Sequence, residues 1–267
     1  MLIPVLAPED HLARFGLSSD RGCAHLARSM MLEELTLLLQ AVSNPDAKLP
    51  SYHHAVIHEN CLAKRSARTR QLTLRHLKSL YCLDCDAAIF RGLRFFWQRD
   101  TDARGLLAFL VACSRDAILR SSAPFVMQLS IGERVSRSQL EAFLDERNEG
   151  RFSKETLKAA AQRILASWTR AGHFIGHVSK TRVKAHPTAG SCAMALLLSY
   201  LAGARGQMLF ETESMRLLDC STDQAIELAE SASRRGWIVF KRIGTVIEVQ
   251  FPGLLTKLEQ EWIHEQG

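Results

Sequence analysis

Aromatic residues make up only 7% of this 267-residue chain, which leaves few of the exposed stacking platforms that readers of single-stranded RNA require. No apolar run approaches the roughly 20 residues that span a bilayer. The longest, 106–113 and 193–198, stop far short, so no membrane association is expected. The opening stretch carries Pro4, Pro8, Glu9 and Asp10 and lacks the basic and apolar regions of a secretory signal, which predicts a cytoplasmic protein. Seven cysteines, an odd number scattered from Cys23 to Cys220, fit reduced thiols better than a disulfide framework. The P-loop, GxGxxG, GxSxG and HExxH signatures are missing. We therefore expect no enzyme, no cofactor and no metal.

The most informative absence is of acidic residues. Between Glu59 and Asp84 there is none, while Lys64, Arg65, Arg68, Arg70, Arg75 and Lys78 supply six positive charges. A second acid-free run covers 156–210 and holds Lys158, Arg163, Arg170, Lys180, Arg182, Lys184 and Arg205. These thirteen charges exceed the whole-chain net of +6 by seven, so the remainder is acidic. Two basic regions on an acidic body point to an acidic polymer as partner.

Hydrophobic periodicity places a helix over 27–42, stopped by Ser43, Asn44, Pro45 and Asp46, and a second from Pro50 and Ser51 to about residue 65. Further helices are predicted over 68–81, 87–98 and 104–115, the last apolar enough to lie in the middle of a helical core. On the 68–81 helix, Leu74, Leu77, Leu80 and Tyr81 form one arc and Arg68, Gln71, Arg75 and Lys78 another. That is the arrangement of a helix-turn-helix at about 51–81 whose second helix enters a major groove. Arginine-rich helices also pack on acidic protein partners.

From Val135 the pattern changes. Ser136 can cap a helix to residue 146, Ser153 can cap 154–170, and Gly172 ends it before a β-hairpin with a basic tip closed by Pro187. Helix, turn, helix and hairpin is the winged-helix order. On the longer helix Leu157, Ala161, Ile164, Leu165 and Trp168 form the apolar stripe. Lys158, Gln162, Arg163 and Arg170 face away from it, interleaved with the small Ala159 and Ala166. Helices over 192–201, 208–218 and 223–235 follow, then a second hairpin around Ile243 and Gly244. Ser167, Arg170 and Gly172 align with Ser231, Arg234 and Gly236 at an offset of sixty-four residues, which predicts a second winged-helix-like module. The expected fold is mainly α: an all-helical domain over 1–128, a winged-helix module over 129–190 and a C-terminal helical and winged-helix-like module over 191–267.

Other chemistry is thin. Cys82 and Cys85 form one CxxC, with Cys61 or His58 nearby in sequence, and lack the second pair of a zinc site. His53, His54 and His58 share one helix and His173 and His177 one strand face, and both sets are expected to be surface or partly buried residues. Trp97 and Trp168 are expected in the core.

Several stretches resemble, in order, those of the BrxA family, a small component of the bacterial BREX phage-defence systems: ENCLAKRSARTRQLTLRHLKSLYCLD (59–84), LLAFLVACSRDAILRSSAP (106–124) and RFSKETLKAAAQRILASWTRAGHFIGHVSKTRVKAHPT (151–188). LFETESMRLLD (209–219) and ASRRGWIVFKRIGTVIEVQFPGLL (232–255) complete the set. The resemblance implies a non-enzymatic, mainly helical protein acting beside other BREX components in telling host from phage DNA. The family is said to be similar to the RNA-binding protein NusB, which keeps RNA open. The expectation is a double-stranded DNA-binding subunit that grips phosphates through Lys64, Arg65, Arg68, Arg70, Arg75, Lys78, Lys158, Arg163, Lys180, Arg182 and Lys184. Gln71 and Gln162 are placed for base edges. The alternatives are a protein-interaction scaffold within the defence complex and an RNA-binding protein of NusB type.

Overall fold

Apolar faces at helical spacing have to be buried against one another, and in the computed structural model, which describes residues 9–18, 24–148 and 150–264, they meet in one contiguous core. Pro4, Pro8 and Cys23 lie outside the described residues. The chain begins with α1 (Glu9–Arg14), a 3-10 turn (Ala24–Leu26), α2 (Leu32–Ala41), α3 (Leu49–Ile57) and α4 (Ala67–Tyr81). Next come α5 (Ala88–Arg99), α6 (Arg104–Arg115), α7 (Ala117–Ser121) and α8 (Ala123–Gln128). After β1 (Arg134–Val135) come α9 (Arg137–Arg147), α10 (Lys154–Arg170), β2 (Phe174–Ile175) and β3 (Lys180–Arg182). The last third holds α11 (Ala189–Leu201), a 3-10 turn (Gly206–Glu211), α12 (Glu213–Arg216), α13 (Thr222–Arg234), β4 (Val239–Ile243), β5 (Val246–Gln250) and α14 (Lys257–His264).

The fold is mainly helical with two small antiparallel sheets, one ordered β1-β3-β2 and one the β4-β5 hairpin. Helix α6 has the bounds expected from periodicity, and its residues 106–113 are all buried. Beside it runs α11, buried on nearly every side, which packs on α5 and α6 as well as on α12 and α13. The boundary drawn at 190/191 thus falls inside the helix that joins the first and last thirds of the chain.

Local chemistry sets most of the helix ends. The side chains of Ser66, Ser136, Ser153 and Ser221 accept backbone N–H groups of Thr69, Gln139, Thr156 and Gln224, and Ser136 forms a full capping box. The sixty-four-residue offset holds at the other end. Ala171, Gly172 and His173 donate to the carbonyls of Ser167, Thr169 and Trp168, and Arg235, Gly236 and Trp237 donate to those of Ser231, Ser233 and Ala232. Both glycines take the left-handed conformation, φ 92° and 70°.

Three helices differ from expectation. The 27–42 segment is helical only from Leu32, because Met31 is left-handed (φ 54°) and the Met30 N–H is bonded to Ser167 Oγ. The second helix ends at Ile57 rather than near 65: Cys61 N–H turns back to Ala55 O, and Asn60 and Ala63 are left-handed. Residues 58–66 therefore form a long connection where a helix-turn-helix has a turn of about three or four residues. The 208–218 segment breaks at Thr212, whose extended backbone and side chain cap α12.

Candidate nucleic-acid interface

On α4 the two arcs lie as the wheel places them. Leu74, Leu77, Leu80 and Tyr81 are buried, and Arg68, Gln71, Arg75 and Lys78 are exposed. Among the described residues none of these three cations is paired with a carboxylate, and Arg65 in the preceding loop is likewise exposed and unpaired. Two others in the run are less available. Arg70 is half-buried, and Lys64 is tied to Glu34 at 3.0 Å.

Helix α10 buries Leu157, Ala161, Ile164, Leu165 and Trp168 and exposes Lys154, Lys158 and Gln162 in one row of four-residue steps. Ala159 and Ala166 are half-buried. Arg163 lies at the edge of the row, its guanidinium donating to Leu26 O, and Arg170 is bridged to Glu33 at 2.9 Å.

The hairpin departs most from expectation. Arg182 is 2% exposed, ion-paired with Asp219 at 2.9 Å and bonded to the carbonyls of His173 and Val183. It is a structural cation and cannot reach a phosphate. Period-two alternation does not carry on to Lys184, because β3 ends at Arg182, and Lys184 is exposed beyond it. Lys180 folds back, Nζ donating to Gly176 O at 2.7 Å, and burial lowers its pKa. The tip is apolar rather than basic: Ile175 is 57% and Val178 95% exposed.

Sequence reading missed the connection between the two runs. Residues 24–34 pass between α4 and α10, with Tyr81 Oη donating to Met30 O from one side and Ser167 Oγ accepting the Met30 N–H from the other. This brings Arg28, outside both acid-free runs, to the seam along with His76 of α4. Half-buried His76 is held below the ordinary imidazole pKa by burial and then by the charges of Arg75, Arg28 and Arg163. Only the tertiary fold brings the charges of residues 28 and 163 to the imidazole beside Arg75.

Beneath the seam His25 contacts Asp116 through Nδ1 at 3.0 Å and Ser167 Oγ through Nε2 at 2.9 Å. The order resembles a hydrolytic triad. All three residues are buried, however, Ser167 also donates to Arg163 O, and Asp116 Oδ1 caps α7, so the network joins elements and offers no substrate access. Burial raises the Asp116 pKa, but hydrogen bonds from His25 and its charge, with the Leu119 N–H, outweigh this and hold the carboxyl below its ordinary value.

Other residues fall into place as structure. His173 is fully buried against Phe109 and Trp168, not at a surface face shared with exposed His177. Trp97 and Trp168 are in the core. Cys85 donates to Asp46 O, and burial raises the thiol pKa of Cys82 and Cys85 alike. Asp84, Cys85 and Asp86 have ligand-type atoms within 4.8 Å of one another, but they are consecutive residues of a single turn. Among the described residues no helix is long and apolar enough to cross a membrane.

No protein-family model matches this chain, and neither does any curated protein or solved structure.

Proposed function

We propose that this protein is a non-enzymatic, cytoplasmic, double-stranded DNA-binding subunit of a bacterial phage-defence system of the BREX type, holding duplexes mainly through phosphates. The observation that carries the reading is the row of exposed cations on α4 (Arg68, Arg75, Lys78) together with the row on α10 (Lys154, Lys158), joined across residues 24–34. The resemblance to the BrxA family supports the same assignment. So does the order β1, α9, α10, β2, β3 with β3 central, which fits a winged-helix module with α10 as recognition helix. The order α13, β4, β5 fits a second, winged-helix-like unit. Among the described residues none of the exposed large apolar side chains is aromatic, which favours a duplex over splayed single-stranded RNA.

The test is a salt titration on duplexes of unrelated sequence. Four to seven phosphate contacts give a slope of log affinity against log salt of about −4 to −6, with similar affinity for each duplex. Arg68→Ala with Arg75→Ala should weaken binding and barely move the melting temperature, because exposed charges add little stability. A slope near zero, or an unchanged affinity in the double variant with lowered melting, overturns the reading. A protein-interaction role within the defence complex is favoured by the exposed apolar tips of both hairpins, Ile175 and Val178 on one and Ile243 and Val246 on the other. If Val178→Ser frees a defence partner in co-purification while leaving duplex affinity unchanged, the hairpin is a protein-docking element.

A further inference from the structure

Three imidazoles gather at the C-terminal end of α3, and the DNA-binding reading uses none of them. The ring of His58 lies 5.2 Å from that of His54 and 5.9 Å from that of His53, centroid to centroid, and all three residues are exposed. The backbone beneath them is fixed. His58 keeps α-helical dihedrals although it caps the helix, and the N–H groups of His58 and Glu59 both donate to His54 O, at 2.9 and 3.2 Å. His54 and His58 therefore stand one turn apart on the same helical face.

Glu59 adds a specific element. Its Oε1 lies 3.3 Å from His54 Nδ1. A carboxylate there favours the tautomer with its proton on Nδ1 and leaves the lone pair on Nε2, which is how proteins orient a metal-ligating histidine and raise its basicity. Among the described residues the ring nitrogens of His58 have no hydrogen-bond or ion-pair partner, so a lone pair is open there as well. The spacing fits a shared ion. Two imidazoles on one tetrahedral zinc, with Zn–N bonds of about 2.0–2.1 Å, have ring centroids roughly 5 Å apart, and those of His54 and His58 are 5.2 Å apart. Room remains for further ligands, because His54 and Glu59 line an open groove of about 550 Å³ whose wall also carries Ser43, Asn44 and Ser51. The dipole at a helix C-terminus favours a cation, and imidazole suits zinc, copper or nickel where magnesium and calcium take oxygen ligands. We infer that His54 and His58 bind a divalent transition ion of the zinc type, with Glu59 orienting His54 and water from the groove completing the coordination. Bound there, the ion pins the start of the 58–66 connection, which leads into α4, to the last turn of α3. The inference is independent of the DNA reading.

The experiment uses the full chain, free of any affinity tag and stripped of metal, titrated with zinc chloride by calorimetry while the imidazole resonances are followed by NMR. One equivalent of zinc should move or broaden the His54 and His58 signals, and magnesium chloride should move neither. His54→Gln and His58→Gln should each abolish that binding and leave the metal-free melting temperature unchanged, because exposed side chains contribute little to stability. Glu59→Gln, which keeps an oxygen but loses the charge beside Nδ1, should weaken zinc binding about tenfold. Zinc should raise the melting temperature of the parent protein and not that of His58→Gln, since the ion favours the folded state that holds the two rings together. Zinc that leaves both histidine signals where they are, or that binds the His54→Gln, His58→Gln double variant as it binds the parent, overturns the site. An unchanged affinity in Glu59→Gln overturns its orienting role.

Discussion

Replacing Arg182 by alanine should damage the fold and not a contact with DNA. Its guanidinium is paired with Asp219 Oδ2 at 2.9 Å, and the two side chains are only 2% and 15% exposed. Deleting one member of a buried pair strands the other charge, at a cost of about 3–5 kcal/mol. The carbonyls of His173 and Val183 lose donors as well. At roughly 2–4 °C per kcal/mol for a chain of this size, Arg182→Ala should melt about 6–20 °C below the parent protein. Lys184→Ala, two residues on and exposed, should stay within about 0.5 kcal/mol of it. A paired variant separates charge from packing. Arg182→Met with Asp219→Asn keeps the volume and removes both charges, and asparagine suits the left-handed backbone at 219 (φ 58°) and can still accept the Ala185 N–H. Buried Arg182 Nε also lacks any hydrogen-bond partner, which makes the ion pair an imperfect one, so the double variant should recover most of the loss. The assay is a thermal melt of the four proteins alongside duplex binding well below every midpoint. If Arg182→Ala melts with the parent and loses affinity as an exposed lysine variant does, the side chain reaches solvent and the hairpin grips DNA after all.

Two further outcomes follow from the same packing. Burial, and then the charge of Arg182, depress the His173 pKa to about 4. The unfolded chain, titrating near 6.5, therefore binds more protons than the folded one at mildly acid pH. The stabilisation is complete above pH 6.5 and is lost as pH falls towards 4, about 3 kcal/mol in all; urea titrations across that range should show the decline, and His173→Gln should flatten it. Gly105 of α6 lies under the end of α10, where an added Cβ would come 2.6 Å from Arg170 O. Gly105→Ala should destabilise by about 1–3 kcal/mol despite alanine's better helix propensity, and a stabilised variant in denaturant unfolding would show that the two helices can move apart freely.

The sequence by itself determined what depends on neighbours a few residues away. Serine caps at 66, 136, 153 and 221 and glycines at 172 and 236 work through hydrogen bonds spanning one turn, and helix α6 and the two arcs of α4 follow from a repeat of about 3.6 residues. The class, mainly helical with short hairpins, was legible for that reason. Tertiary structure alone decided which cations are free. Lys64 and Arg182 look like their exposed neighbours in the sequence, but each meets a carboxylate distant along the chain, Glu34 and Asp219, and a charge with a fixed partner is lost to any polymer outside. Arg28 and His76 carry no local signal at all. They join the candidate surface only because residues 24–34 are threaded between α4 and α10, held by the buried Met30, Tyr81 and Ser167 contacts. Periodicity says which way a side chain points from its own helix, and only packing says what it finds there.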